Sequence, residues 1–253
     1  MYETSTKDLF LWIRDNKNSG KDIDELYLLL DLVGGISKND LLQLKINSKY
    51  KVSLNVDFNS LKKKWIEHLI FSKPIQYISG SSYWRNFKFE LNTNVLIPRV
   101  ETEKIVEIAS NIISSEDEKI IFADLGTGSG SIAIALVEEN KNWKGLATDI
   151  DMNALHIAQI NHKKISSESN INFYCGNWWE PIRHYAGRIN LAISNPPYIP
   201  RNVYERLPSA VIDFEPKKAL YGGEDGLSHI KQIISNAPKF LVRGGWLILE
   251  NLK

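Results

Sequence analysis

The chain has 253 residues, with 31 Lys and Arg against 30 Asp and Glu and a formal net charge of +1. That balance gives no bulk electrostatic case for a nucleic-acid binder, and no apolar run is long enough to span a bilayer. One cysteine, Cys175, excludes an internal disulfide and a thiolate metal cluster; the five histidines lack metal-ligand spacing, and the polar start MYETSTKD lacks a signal-peptide pattern. No metal, no membrane and a reducing, cytoplasmic setting are therefore expected.

The pattern over residues 1 to about 72 predicts helices throughout, four or five short ones forming a bundle counted here as residues 1–75. Ile23, Leu26, Leu29, Leu30 and Val33 fall at three and four spacings on one face. Gly34-Gly35 ends that helix, and Ser37 with Asp40 resembles a capping box for the next. In LKKKWIEHLIF, Leu61, Trp65 and Leu69 share one side, leaving Lys62, Lys63 and Lys64 to face solvent or a charged partner.

Residues 76–100 read as a joint with a short β-hairpin, its strands in SYWRNFKFELNTNVLIP placed around the turn Asn92-Thr93-Asn94. A helix is expected from about Glu101 to Ile113. From there to residue 253 the rhythm is strand then helix, with strands at 120–125, 143–149, INFYC, 189–194 and from Gly245. The predicted fold is α/β, a doubly wound, mostly parallel Rossmann-like sheet with a small helical bundle before it.

DLGTGSG, residues 124–130, follows the first of these strands and opens a helix. Its glycines permit a tight turn with outward amides, and Asp149, ending the next strand, can accept both hydroxyl protons of a ribose. The spacing is G-x-G-x-G, whereas a dinucleotide fingerprint is G-x-G-x-x-G. Asp124 beside the turn opposes a pyrophosphate and suits a cofactor with a positive centre and an ammonium group. That description fits S-adenosyl-L-methionine better than NAD. In CGNWWEP, Asn177 can meet an adenine amino group and Trp178 or Trp179 can offer the ring a flat surface; a turn over two core tryptophans would read the same way.

NPPY, residues 195–198, ends the strand expected beside the glycine turn. Two prolines fix φ and remove two donors, so carbonyls and the Asn195 oxygen remain as acceptors. Such a corner suits an NH₂ group held by both hydrogens, with Tyr198 closing over a planar amide or base. Gripping those hydrogens draws electron density onto a nitrogen otherwise delocalised by amide resonance.

With these residues in place the sequence resembles the HemK/PrmC family, class I S-adenosylmethionine-dependent methyltransferases acting on the N5 nitrogen of the glutamine in the GGQ motif of peptide chain release factors. The likeness covers QYISG, LIPRVETE, FADLGTGSGSIAIAL, SNPPYIP, DFEPKKAL, YGGEDGL and GGWLILE, nearly the whole chain. DLGTGSG alone marks a methyltransferase, and NPPY is shared with enzymes that methylate exocyclic amines of nucleic-acid bases, the main alternative. A dehydrogenase and a non-catalytic binding protein are the remaining ones. The resemblance implies that Gly126, Thr127, Gly128, Ser129 and Gly130, with Asp124 beside them, hold the methionine part of the cofactor. It gives Asp149 the ribose and Asn177 with Trp178 the adenine. Asn195 and the Pro196 carbonyl then hold the glutamine amide, with Pro197 and Tyr198 shaping its slot; S-adenosyl-L-homocysteine is the product. The N-terminal bundle is implied to help recognise the release factor, and no nucleic-acid substrate is expected.

The family usually has Pro at the position of Val100, often Gly at Arg85, and commonly Asp at Asn177. Asn177 keeps an acceptor oxygen without the charge, so weaker cofactor binding is expected. The family sheet has seven strands and the fifth is the last one readable here. Strands six and seven are therefore expected to be absent, and strand five to lie near an unprotected edge unless another element covers it. Reduced stability or self-association would follow.

Overall fold

The computed structural model describes residues 1–46, 50–113 and 119–251, and the chain divides into two compact units, Met1–Ser81 and Ser82–Lys253. In the first, β1 (Tyr2–Ser5) leads into α1 (Thr6–Asn18), α2 (Ile23–Leu29), α3 (Lys38–Ile46), β2 (Lys51–Leu54), α4 (Phe58–Phe71) and α5 (Ile75–Ser79). This unit is not helical throughout: β1 and β2 pair antiparallel, with Tyr2 opposite Leu54. The alternation in KVSL, which buries Val52 and Leu54 and exposes Lys51 and Ser53, is the period-two signal of that ladder. The helices begin where side chains satisfy their first amides, at Ser5, Asp22 and Asp57. Ser37 and Asp40 form a reciprocal capping box, Asp40 N to Ser37 Oγ at 3.2 Å and Ser37 N to Asp40 Oδ2 at 2.9 Å. Leu9, Leu26, Leu29, Leu54, Leu61 and Trp65 fill the core, and the Trp65 indole donates to Asn16 Oδ1 at 2.7 Å. Lys64 donates to the Ile78 carbonyl and Lys62 lies over the Phe58 ring, so two of the three lysines in that run have partners within the unit.

In the second unit β3 (Ser81–Trp84) pairs with β4 (Phe87–Glu90), followed by α6 (Glu103–Ile112). The strands turn at Arg85-Asn86 and not at Asn92–Asn94, which instead forms a separate turn closed by Val95 N to Asn92 O at 3.2 Å. Arg85 makes the tight connection by adopting φ +50°, a conformation that carries no sequence signal when the residue is not glycine.

Then follow β5 (Ile121–Leu125), α7 (Ser131–Glu139), β6 (Lys144–Asp149), α8 (Met152–Ile165), β7 (Asn170–Cys175) and β8 (Ile189–Ser194). The short helices α9 (Arg201–Tyr204), α10 (Ser209–Phe214) and α11 (Lys217–Leu220) precede α12 (Ser228–Phe240) and β9 (Leu241–Leu249). The five strands form one parallel sheet in the order β7-β6-β5-β8-β9, the doubly wound arrangement expected. β9 begins at Leu241 rather than Gly245, because the register slips between Ile189 and Leu191 and absorbs the Arg243–Gly244 segment. Among the described residues β9 is an edge strand, with Trp246 52% exposed. Ala123, Leu125, Leu146 and Ala192 pack on Ile233, Ala237 and Phe240 of α12, where Trp179 stacks on Phe240 at 4.7 Å. Among the described residues no helix is long and apolar enough to cross a membrane.

Arg85 pairs with Glu139 and holds its left-handed backbone at a steric cost of about 1–2 kcal/mol. Arg85→Ala loses the pair and keeps the strain, whereas Arg85→Gly loses the pair and relieves it. In urea unfolding we expect the glycine variant to exceed the alanine variant by about 1 kcal/mol; equal stabilities would show that the turn is unstrained.

Candidate functional site

Parallel pairing of β5 and β8 sets Asp124 opposite Ile193, so the two chains leave the sheet side by side. The buried Ser194 hydroxyl donates to the Leu125 carbonyl at 2.6 Å, joining the two strand ends. Beyond them opens a cavity of about 530 Å³. It lies at the topological switch point, outside the C-terminal strand ends, where doubly wound sheets bind ligands.

The glycine turn forms its floor. The amides of Gly126 and Thr127 both donate to the Thr148 carbonyl, at 2.8 and 2.9 Å, and Gly128 N donates to Asp149 Oδ2 at 2.9 Å. Gly126, Gly128 and Gly130 take φ of +77°, +55° and +83°. A side chain at Gly128 would meet nothing within 4 Å, so the turn opens there, whereas one at Gly130 would come within 3.1 Å of Ala158 and Ile134. Gly130 therefore serves helix packing rather than the cavity wall. The buried Asn161 of α8 holds the turn from behind, donating to Ser129 O at 2.9 Å and to Glu90 O at 3.0 Å while accepting from Glu90 N at 2.7 Å.

Asp124 lies fully buried beneath the turn and accepts from the Thr127 hydroxyl at 2.6 Å. Burial pushes its carboxyl up to about 7, against the opposing pull of the Thr127 hydroxyl and the Ala133 amide. Asp149 is also raised, first by burial and then by the Asp151 charge, while the amides of Asp151 and Gly128 and the Lys218 ammonium hold it down.

Asn177, Trp178 and His229 also line the cavity. The two tryptophans separate in role. Trp179 is core, its indole donating to Ile233 O at 3.1 Å, whereas the Trp178 ring lies over Gly126, 3.0 Å from where a side chain there would begin. Trp178 Nε1 is buried without a hydrogen-bond partner among the described residues. Burial holds the His229 imidazole below its ordinary pKa and so keeps it neutral near pH 7.

At the corner, Asn195 and Pro197 line the cavity. Asn195 Nδ2 donates to Thr102 Oγ1 at 3.0 Å, which leaves the carbonyl oxygen Oδ1 as its acceptor for a ligand. The Tyr198 hydroxyl donates to Glu250 Oε1 at 3.1 Å, and burial together with that carboxylate raises its pKa to about 12. A second loop clamps this corner backbone to backbone. A side chain on Gly222 would lie 2.8 Å from the Pro197 carbonyl, and one on Gly226 2.4 Å from the Tyr198 carbonyl. Gly222 N donates to Ile199 O and Ile199 N to Leu220 O, both at 2.9 Å.

Lys217, Lys218, Ala219 and Tyr221 also line the cavity, their segment tied by Arg99 to both carboxylate oxygens of the buried Glu215 at 2.6 Å and by Lys218 to Asp151. Of the residues expected from sequence, Gly126, Thr127, Gly128, Ser129, Asp149, Asn177, Trp178, Asn195 and Pro197 line one cavity; Asp124, Gly130, Pro196 and Tyr198 adjoin these in the chain without being among its lining residues. Thr102, Arg99, Asn161 and the Gly222–Gly226 loop carried no such expectation. A nucleoside with a positive centre fits this set: an open glycine turn, a partly buried carboxylate at the end of β6, an indole N–H unpartnered among the described residues and an acid under the floor.

Residues 98–211 match the family description "methyltransferase small domain". The chain is 36% identical over 248 residues to the release factor glutamine methyltransferase of Prochlorococcus marinus, covering 98% of this chain and 85% of that one. It is 39% identical to the protein of the same description from Coxiella burnetii, over 88% of this chain and 76% of that one. Among solved structures it is similar to the hMettl16 catalytic domain in complex with the MAT2A 3'UTR hairpin 1. That likeness has a TM-score of 0.50 and 16% identity, and covers 85% of this chain and 72% of that one; it carries the fold alone.

Because Asp124 binds its proton more tightly folded than unfolded, the native state holds the extra proton between about pH 4 and 7, and stability falls as pH rises through that window. Asp124→Asn removes the charge without the hydrogen-bond acceptor. We expect it to stabilise the ligand-free protein at pH 8 by a few kcal/mol, on the order of 1.4 per tenfold change in proton affinity, and by little at pH 4. Denaturant unfolding at both values measures it, and a loss of stability at pH 8 would contradict it.

Proposed function

The chain belongs to the release factor glutamine methyltransferase family, and from that premise we propose that its cavity moves a methyl group onto the side-chain amide nitrogen, N5, of the glutamine in the GGQ motif of peptide chain release factors. S-adenosyl-L-methionine, when bound, supplies an electrophilic methyl on a sulfonium. Gly126, Thr127, Gly128 and Ser129 hold its amino-acid end, Asp149 its ribose, and Asn177 with Trp178 its base. Asp124 acts from beneath the turn, as a buried acid able to carry a balancing negative charge. Asn177 offers an oxygen without the charge of the aspartate common in the family.

The observation that carries the substrate side is the 3.0 Å bond from Asn195 Nδ2 to Thr102, which engages one N–H of that amide and leaves its oxygen as an acceptor for the substrate. Asn195 Oδ1 and the Pro196 carbonyl together receive both hydrogens of the glutamine NH₂. Each bond drains positive character from the nitrogen as it takes the methyl, an effect worth most where acceptors are fixed in advance. One of the two held hydrogens then leaves as a proton to solvent, with S-adenosyl-L-homocysteine as the leaving group. Pro197 walls the slot. Tyr198, raised to about 12 and bound to Glu250, stays protonated, so its part is to shape the slot and exclude water rather than to take a proton. The first unit, Met1–Ser81, is assigned to recognition of the release factor. A nucleic-acid base is not part of the proposed substrate set, and the cytoplasm, where release factors act, is the compartment that accompanies it.

The test offers labelled S-adenosyl-L-methionine with purified release factor, a free GGQ peptide and RNA in parallel. We expect label on the release-factor glutamine, less on the peptide and none on RNA. Asn195→Ala should lower transfer about 10²- to 10³-fold, the scale for loss of one fixed polar group at the reacting atom. Label on RNA alone, or full transfer by the Asn195 variant, would overturn the assignment.

A further inference from the structure

We propose that Thr102 is a positioning residue for methyl transfer, its hydroxyl bracing the Asn195 amide through Nδ2 so that Oδ1 is held ready for the substrate nitrogen. The proposal rests on the substrate role given above to Asn195.

Thr102 stands at the start of α6, where a threonine ordinarily turns its oxygen onto the amides of the first helical turn. Here it makes no such cap. Its backbone is already helical, at φ −66° and ψ −19°, so the side chain is not aimed along the helix as a capping residue's would be. The hydroxyl meets Asn195 Nδ2 instead, across 93 positions of sequence, and the residue is only 3% exposed on the cavity wall. α6 thus forgoes a cap contribution of about 1 kcal/mol in favour of a contact with the corner.

The position of that hydroxyl is itself fixed. Thr102 N donates to Arg99 O at 3.2 Å, and the same carbonyl accepts from the Trp84 indole at 2.7 Å. The Arg99 guanidinium is held by the buried Glu215. The turn from Arg99 to Thr102 is therefore anchored at both its backbone and its side chain, and the hydroxyl has a stationary base from which to act.

Chemistry gives the contact its consequence. The two ends of an asparagine amide are close in size and opposite in hydrogen bonding. Rotated by half a turn, Asn195 would present an NH₂ to the NH₂ of the glutamine, donor against donor. A hydroxyl can accept from Nδ2 or donate to Oδ1, so Thr102 braces the amide in place. In the arrangement the structure holds it accepts from Nδ2 and leaves Oδ1 to the substrate, and loss of the hydroxyl leaves a part-buried N–H unpaired in the productive state. Thr102 acts through Asn195 and need not touch the reacting atoms.

The experiment compares Thr102→Val, near in shape but without an acceptor, with Thr102→Ser and with the unaltered protein. Thr102→Ala serves as a second acceptor-free variant should valine perturb folding. We expect kcat for release-factor methylation to fall about tenfold or more in the valine and alanine variants. The Kd for S-adenosyl-L-homocysteine by calorimetry and the thermal midpoint should stay near those of the unaltered protein, and serine should restore most of the rate. In an Asn195→Ala background the valine change should cost nothing further. A change below twofold in kcat, failure of serine to restore the rate, or an undiminished effect in the Asn195→Ala background would overturn the positioning role. If Asn195→Ala itself kept full activity, the substrate assignment would fall first and the role of Thr102 with it.

Discussion

The pairing of β5 with β8, closed at its end by the Ser194 hydroxyl on the Leu125 carbonyl, is the constraint on which the site depends. One strand delivers a glycine turn suited to a cofactor, and the other delivers a corner of acceptors suited to an amide. Each would be an ordinary loop if the strands lay apart. Parallel neighbours joined by long crossovers bring the two ends to one crevice, and a buried hydroxyl bond fixes their relative height.

Rigidity then comes from elements that contribute few reacting groups. The Arg99–Glu215 pair, the Trp84 indole on the Arg99 carbonyl, and the backbone approach of Gly222 and Gly226 to residues 197 and 198 hold the corner from three directions. Asn161 performs the same service for the glycine turn from the opposite side. Acceptors fixed before the substrate arrives do not have to reorganise as charge develops on the nitrogen, which is how a delocalised amide is made reactive. The short lengths α9 to α11 belong to this scheme as the segment that carries Glu215 and Lys218 to their partners.

Much of this was legible in the sequence where the signal is local. The strand–turn–helix order around DLGTGSG, the acid at Asp149 and the proline pair after β8 each follow from a few adjacent residues, and the parallel character of the sheet followed from the alternation of strands and helices. What escaped notice depends on distance. The ladder of β1 with β2 joins segments almost fifty positions apart, and YETS alone is too short and polar to read as a strand. The hairpin turned at Arg85 because tertiary contacts to Glu103 and Glu139 accept a left-handed arginine. Thr102, Asn161 and Glu215 look like ordinary helix or loop residues until their partners are known. The resemblance to a family supplied motifs such as FEP and GGEDGL, while the reason for them, a buried carboxylate and two side-chain-free contacts, is visible only in three dimensions.

The central claim is that a fixed pair of oxygens, one from Asn195 and one from the Pro196 carbonyl, receives both hydrogens of the substrate amide. A crystal structure of the protein with S-adenosyl-L-homocysteine and a GGQ-containing release-factor domain tests it directly. The account predicts Asn195 Oδ1 and the Pro196 carbonyl oxygen each within about 3.2 Å of the glutamine nitrogen, with Asn195 Nδ2 still on Thr102. A glutamine nitrogen bound elsewhere, or an Asn195 that presents its NH₂ to the substrate, would contradict it.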